Sequence, residues 1–277
     1  MFDIDQYLAD QTPVLRKEAA PAIAPAPEPE PAFFCAVTTY FQPIVRASDL
    51  MPVGYEALAR GPQDSPLHPA RVLFATAAGL GETERLERVC WTNAILGATR
   101  NRLWSYPGEY LFLNLSPERV GDPTFFHFVQ RLLADTGIPA DRVVLEVTEE
   151  SRLRTGEDFL RALLRYRDLG FRIALDDVGA GYSDLQALAE IRPDFLKVAM
   201  ALVRGVDGHH GRRHVVGALV MLGHAMGSQV VVEGVETEAE LEAARALGVD
   251  CIQGHLIGRP AAGLRLPSLA PSLRAAA

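Results

Sequence analysis

The sequence predicts an α/β fold built as a single barrel, and three observations predict it. Seven apolar runs close on polar residues: VGYEAL at Glu56, YLFLN at Asn114, VVLE at Glu146, RIALDD at Asp176 and Asp177, FLK at Lys197, QVVVE at Glu233 and CIQ at Gln253. Most of the intervals between them are long enough for a helix, and from about residue 110 to 257 strand and helix patterns alternate, the signature of a parallel sheet closed on itself. At the start, however, only the seven residues RASDLMP separate CAVTTYFQPIV from VGYEALAR. A parallel crossover needs a dozen or more, so these two strands are expected to pair antiparallel.

Taken in order, residues 1–33 form an extension. Its opening FDIDQYLADQTPVL has some apolar residues at helical spacing and reads as a frayed tail or, alternatively, as a docking peptide for a protein partner, and the AAPAIAPAPEPEPA that follows is almost wholly Ala, Pro and Glu, a composition that favours an extended tether. The barrel is expected over 34–262. Its helical patterns are HPARVLFATAAGL, ETERLERVCWTNAILGATR, PTFFHFVQRLLADTG, GEDFLRALLRYRDLG, SDLQALAEI, GRRHVVGALVMLGHAMG and EAELEAARALG. Several end on glycine, as helix C-termini often do. Residues 263–277 read as a tail without a clear strand.

Composition narrows the function classes. A chain of 277 residues with 48 % hydrophobic content can bury a barrel-sized core. A formal net charge of -8 argues against binding duplex nucleic acid, where a basic surface supplies most of the affinity. Cys35, Cys90 and Cys251 are widely spaced and lack CxxC or zinc-type patterning, so reduced thiols in a cytoplasm are expected. No apolar stretch approaches the length that spans a bilayer, and the acidic N-terminus lacks the features of a signal peptide.

The strand ends carry the chemistry. Strands that finish alike bring distant residues to one face of a barrel. Carboxylates with an amide oxygen are hard ligands for Mg²⁺ or Mn²⁺. Taken singly, any of these acids reads as a solvated loop group or a helix cap; together they predict a divalent-metal site. Asp176 and Asp177 would face opposite ways on a regular strand, but at a strand-to-loop junction both can turn to the mouth. Two ions there would serve an in-line phosphoryl displacement, with Lys197 holding the water or offsetting the developing charge.

At these residues the chain resembles the EAL-domain family of cyclic di-GMP phosphodiesterases. The signature appears as Glu56, Ala57 and Leu58 in YEALARGP, and NLS begins at Asn114. LEVTEE carries Glu146 and Glu149, DDVGAGYSDL carries the aspartate pair, VVEGVET supplies Glu233 and Glu236, and QGHLIGRP holds Gln253. The resemblance runs from about Tyr40 to Pro260 and implies a modified TIM (β/α)8 barrel with an antiparallel first strand. It also implies that Glu56, Asn114, Glu146, Asp176, Asp177 and Glu233 hold two Mg²⁺ or Mn²⁺ ions, with Ca²⁺ inhibitory. By the same resemblance Lys197 contacts the attacking water, Glu233 assists as base and Glu149 braces the loop after Asp177. Arg60 meets a substrate phosphate, Gln42 and Leu58 line the nucleotide cleft, and Glu236 and Gln253 complete the site. The product would be linear 5′-pGpG, and a homodimer is expected.

Three positions depart from the family pattern. Ala199 stands where the family commonly has aspartate two residues past the lysine, Val178 replaces a phenylalanine, and Asp184 replaces a serine. Two function classes follow: an active phosphodiesterase, favoured by the complete ligand set, and a receptor that binds the nucleotide without cleaving it, favoured by Ala199.

Overall fold

The computed structural model describes residues 34–105, 108–180 and 185–265, apart from the side chains of 149–157 and 185–187. The extension 1–33, Asp184, the tail beyond 265 and the side chain expected of Glu149 as a loop brace lie outside the described residues. The chain divides into two compact units, Met1–Thr38 with Ala59–Asn93 and Thr39–Leu58 with Ala94–Ala277.

In the first unit a 3-10 turn at Phe34–Ala36 is followed, after β1 and β2, by α1 (Ala70–Gly79) and the opening of α2 (Thr83–Arg100). Phe34, Val37, Leu73, Ala77, Leu86 and Val89 form its core. Leu73 and Ala77 are one helical turn apart, which sets the buried stripe of α1. Glu84 in the first turn of α2 and Arg100 in its last suit the helix dipole, and Arg88 bonds Glu84 at 2.8 Å on the outer face.

The second unit holds the barrel. Eight strands close in sequence order: β1 (Thr38–Arg46), β2 (Pro52–Arg60), β3 (Tyr110–Asn114), β4 (Val143–Thr148), β5 (Arg172–Val178), β6 (Phe195–Val198), β7 (Gln229–Val232) and β8 (Cys251–Ile252). Strands β2 through β8 pair parallel, while β1 meets β8 antiparallel with Val45 opposite Ile252. The modified barrel with one reversed strand is therefore the fold. Beyond β8 the chain adds one isolated bridge, Ala261 to Phe41.

Between the strands lie α3 (Pro117–Val120), α4 (Pro123–Thr136), α5 (Glu149–Asp168), α6 (Leu185–Ile191), α7 (Met200–Val203), α8 (His210–Ala225) and α9 (Glu238–Ala246). Local chemistry sets their ends. Asp122 caps α4 by accepting from the N–H groups of Thr124 and Phe125, and Gly137 closes it in the left-handed region at φ 69°. Thr237 and Glu240 form a capping box on α9. Helix α5 starts at Glu149 and runs through Gly156, seven residues ahead of the pattern GEDFLRALLRYRDLG read from sequence.

One residue from each strand builds the barrel core: Ile44, Val53, Phe112, Val144, Ala174, Phe195, Val231 and Cys251. Phe112 and Phe195 meet edge to face at 5.1 Å. Gly54 makes room for this layer, since a Cβ there would lie 2.4 Å from the Tyr110 carbonyl oxygen and 3.0 Å from the Phe112 ring. The layer positions the site, because side chains two residues further along a strand share its face. From Phe112, Val144, Ala174, Phe195, Val231 and Cys251, two residues on lie Asn114, Glu146, Asp176, Lys197, Glu233 and Gln253.

Candidate active site

Lys197 on β6 is fully buried, and its ammonium gathers the acids of four other strand ends. Nζ lies 2.5 Å from Glu146 Oε1, 2.7 Å from Glu233 Oε1, 3.1 Å from Asp176 Oδ1 and 3.6 Å from Glu56 Oε2. Asn114 Nδ2 donates to Glu146 Oε2 at 3.3 Å and to Glu56 Oε1 at 3.5 Å. Gln253 Nε2 donates to Glu56 Oε2 at 2.6 Å and to Gln42 Oε1 at 3.2 Å, and Gln42 Nε2 donates to the Gly258 carbonyl at 3.1 Å. Gln42, Glu56, Asn114, Glu146, Asp176, Lys197, Glu233 and Gln253 thus form one connected cluster.

Asp177 joins through an unusual backbone. The pairing of β5 with β6 shifts register between Leu175 and Val178, and Asp177 adopts φ 56°, the left-handed region that aspartate tolerates better than most residues. Its N–H donates to Asp176 Oδ1 at 3.0 Å. Carboxylate oxygens of Asp176, Asp177 and Glu233 consequently come within 4.8 Å of one another, and both aspartates line the mouth, as a strand-to-loop junction allows.

The electrostatics leave the cluster short of positive charge. Burial pushes the Glu146 carboxyl well above its usual value, with Glu56 adding to the rise and Lys197 opposing it. Burial likewise raises Glu233 to about 7 against the pull of Lys197. For Lys197, burial would favour the neutral amine, but Glu146, Glu56, Glu233 and Asp176 outweigh it and hold the ammonium charged far above its usual range. One ammonium against four carboxylates leaves negative charge that protons or cations must neutralise. The oxygens on offer are carboxylates and the Asn114 amide, which fits hard divalent ions.

A cleft of about 330 Å³ opens above the cluster, with Gln42, Leu58, Met200 and His255 among its walls. Gly234, at φ 70°, is required here, because a Cβ would lie 2.2 Å from Met200 Cγ. Glu236 lines the same cleft, and Arg204 engages it bidentately at 2.5 and 2.8 Å. Arg60 ends β2 in the other unit, its Nη1 donating to the Ala59 carbonyl at 2.8 Å. Ala199 is buried at the start of α7, in the N-cap position, and makes no side-chain cap. Arg204, Met200 and Glu240 escaped the reading of the sequence. Only Glu240 carried a local signal, the spacing Thr237-x-x-Glu240 of a capping box.

Comparison with known proteins places the chain in a family. The EAL domain matches residues 35–260. The cyclic di-GMP phosphodiesterase RocR of Pseudomonas aeruginosa is 30% identical over 226 residues, covering 80% of this chain and 56% of RocR. The structure of the PaMucR phosphodiesterase in complex with c-di-GMP is 27% identical, with a TM-score of 0.74 over 84% of this chain and 93% of that one. Klebsiella pneumoniae BlrP1, solved as a calcium/cy-diGMP complex, is 28% identical with a TM-score of 0.77 over 88% of this chain and 60% of its own; a manganese/cy-diGMP complex of BlrP1 matches similarly. Against three uncharacterised relatives, the chain spans 26% to 32% of their length. With its signature at Glu56, Ala57 and Leu58 and its matched span covering most of the sequence, the chain belongs to the EAL-domain family.

Proposed function

We propose that the chain is a metal-dependent phosphodiesterase that hydrolyses cyclic di-GMP to linear 5′-pGpG. The observation that carries this reading is the convergence of four acids and Asn114 around buried Lys197, with Asp177 beside them. Glu56, Asn114, Glu146, Asp176, Asp177 and Glu233 would hold two Mg²⁺ or Mn²⁺ ions. When bound, the ions would lower the pKa of water and offset charge on the leaving oxygen.

The chain's own residues supply the rest. Lys197 Nζ, fixed by Glu146 and Glu233, orients the attacking water and balances negative charge as the phosphorus is approached. Glu233, whose Oε1 lies 2.7 Å from Lys197 Nζ, is placed to take the water's proton at its carboxylate oxygen. Water adds to one phosphorus, the opposite P–O bond breaks, and the ring opens to a dinucleotide with a 5′-phosphate. Gln253 holds Glu56 in place, Gln42 and Leu58 form the nucleotide wall, Glu236 contacts the ligand and Arg60 meets a phosphate. Two cations would also let an acidic chain accept a dianionic ligand. The expected setting is the cytoplasm, as a homodimer that can reach protein partners through residues 1–33; no helix among the described residues is long and apolar enough to cross a membrane.

Ala199 favours a second reading, a receptor that binds without cleaving. Its bare side chain leaves the segment after Lys197 without a carboxylate, and such outer partners often set the geometry of a metal site. Incubation with cyclic di-GMP in Mg²⁺, Mn²⁺ or Ca²⁺, with products separated by chromatography, tells them apart. The phosphodiesterase yields linear product with Mg²⁺ or Mn²⁺ and binds without turnover in Ca²⁺, whose larger, irregular coordination suits the attack geometry poorly. Binding without product in all three would establish the receptor.

A further inference from the structure

A second network lies at the rim of the same cleft. Glu240, in the first turn of α9, is only 3% exposed. Its Oε2 accepts the backbone N–H groups of Glu236 at 2.9 Å and Thr237 at 3.1 Å, and its Oε1 accepts that of Gly205 at 2.8 Å. One buried carboxylate therefore fastens the loop after β7 to the segment after α7. Burial alone would raise this carboxyl, but the three N–H donors outweigh it and hold it below its usual value.

The two fastened segments then meet through side chains. Arg204, one residue before Gly205, sends Nη1 to Glu236 Oε2 at 2.5 Å and Nη2 to Oε1 at 2.8 Å. Its Nη2 also lies 3.5 Å from the sulfur of Met200, and its carbonyl accepts from Arg212 Nη1. The Arg204 and Glu236 side chains are 47% and 35% exposed, and ion pairs so open to water add little to global stability. What a two-pronged guanidinium contact does supply is orientation, because parallel N–H···O bonds fix the plane of the carboxylate. Glu236 faces the cleft with His255 Nδ1 3.6 Å away, and an unheld glutamate there would have to be ordered each time a ligand bound.

We infer that Arg204 and Glu240 are positioning residues for nucleotide binding, acting through Glu236. The inference deepens the proposed function and rests on it. Its test is a set of variants of the full chain: Arg204→Ala, Arg204→Lys, Glu236→Ala, the Arg204→Ala/Glu236→Ala double and Glu240→Gln. For each, KM and kcat are measured with cyclic di-GMP in Mn²⁺, and the thermal midpoint is recorded.

Arg204→Ala is expected to raise KM about tenfold with kcat within about twofold and an unchanged midpoint. The double variant should be no worse than Glu236→Ala alone, since the arginine acts only through that carboxylate. Arg204→Lys keeps the charge without the fork and should recover only part of the loss. Glu240→Gln should raise KM in the same direction, and if it folds poorly the Arg204 variants still decide. A wild-type KM in Arg204→Ala, or effects that add in the double, would overturn the inference while leaving the phosphodiesterase intact. A wild type that neither binds nor cleaves the nucleotide would instead remove the proposed function and, with it, the nucleotide role assigned to these residues.

Discussion

Lys197 and Glu233 show how burial turns ordinary side chains into chemical ones. An ammonium with no exposure survives among apolar strands because four carboxylates surround it, while burial, with neighbouring acids adding to it, raises the carboxyls of Glu146 and Glu233. A stability trend follows for the metal-free chain. With its folded pKa near 7 against an ordinary 4.5, Glu233 keeps a proton in the folded state that the unfolded chain has already released between those values. Folding is therefore favoured below about pH 4.5 and loses that contribution as pH rises through 7. Thermal melts in a chelator should show the midpoint falling across this window, and added Mn²⁺ should restore it most at the upper end, where the carboxylates are free to bind. A midpoint that rises from pH 5 to 7 in chelator would mean that Glu233 is not held protonated.

At the scale of elements, strand ends were legible and loops were not. The period of two along a strand places Asn114, Glu146, Lys197, Glu233 and Gln253 on the face of the apolar residues that precede them, so the sequence exposes the metal-type cluster directly. The antiparallel start was also legible, because a short connection leaves no room for a crossover. By contrast, the helical pattern read from sequence begins at Gly156, yet α5 runs through that residue from Glu149; a single glycine costs only about 1 kcal/mol in a helix. The pairing of Arg204 with Glu236 spans 32 residues between two loops, and no local pattern announces it. The departure at Ala199 lies at the start of helix α7. Ala199 stands at its N-cap without a side-chain capping bond, where an aspartate could accept from first-turn N–H groups and brace the end of β6. Ala199→Asp is expected to raise the cleavage rate by up to about tenfold. An unchanged or lower rate with unaltered metal dependence would show that alanine is not what limits the site.

For the molecule as a whole, a closed barrel explains how residues from 42 to 253 act as one site. Each strand contributes a core residue to the same layer, and a position shared in that layer fixes where the next polar residue emerges. The packing is also what tunes the thiols: burial raises Cys90 and Cys251 to about 12, while Cys35 is exposed. A thiolate-specific reagent at pH 8 should modify Cys35 quickly, half-buried Cys90 more slowly and buried Cys251 only on unfolding. The central claim is that the acids converging on Lys197 perform metal-dependent hydrolysis. Glu56 is its sharpest probe, since its carboxylate meets Lys197, Asn114 and Gln253 together. The measurement is the initial rate of 5′-pGpG release from cyclic di-GMP in Mn²⁺ by the wild type and by Glu56→Ala, each folded as judged by its thermal melt. The expected result is turnover by the wild type and a loss of at least about a hundredfold in the variant; equal rates in the two proteins would contradict the assigned site.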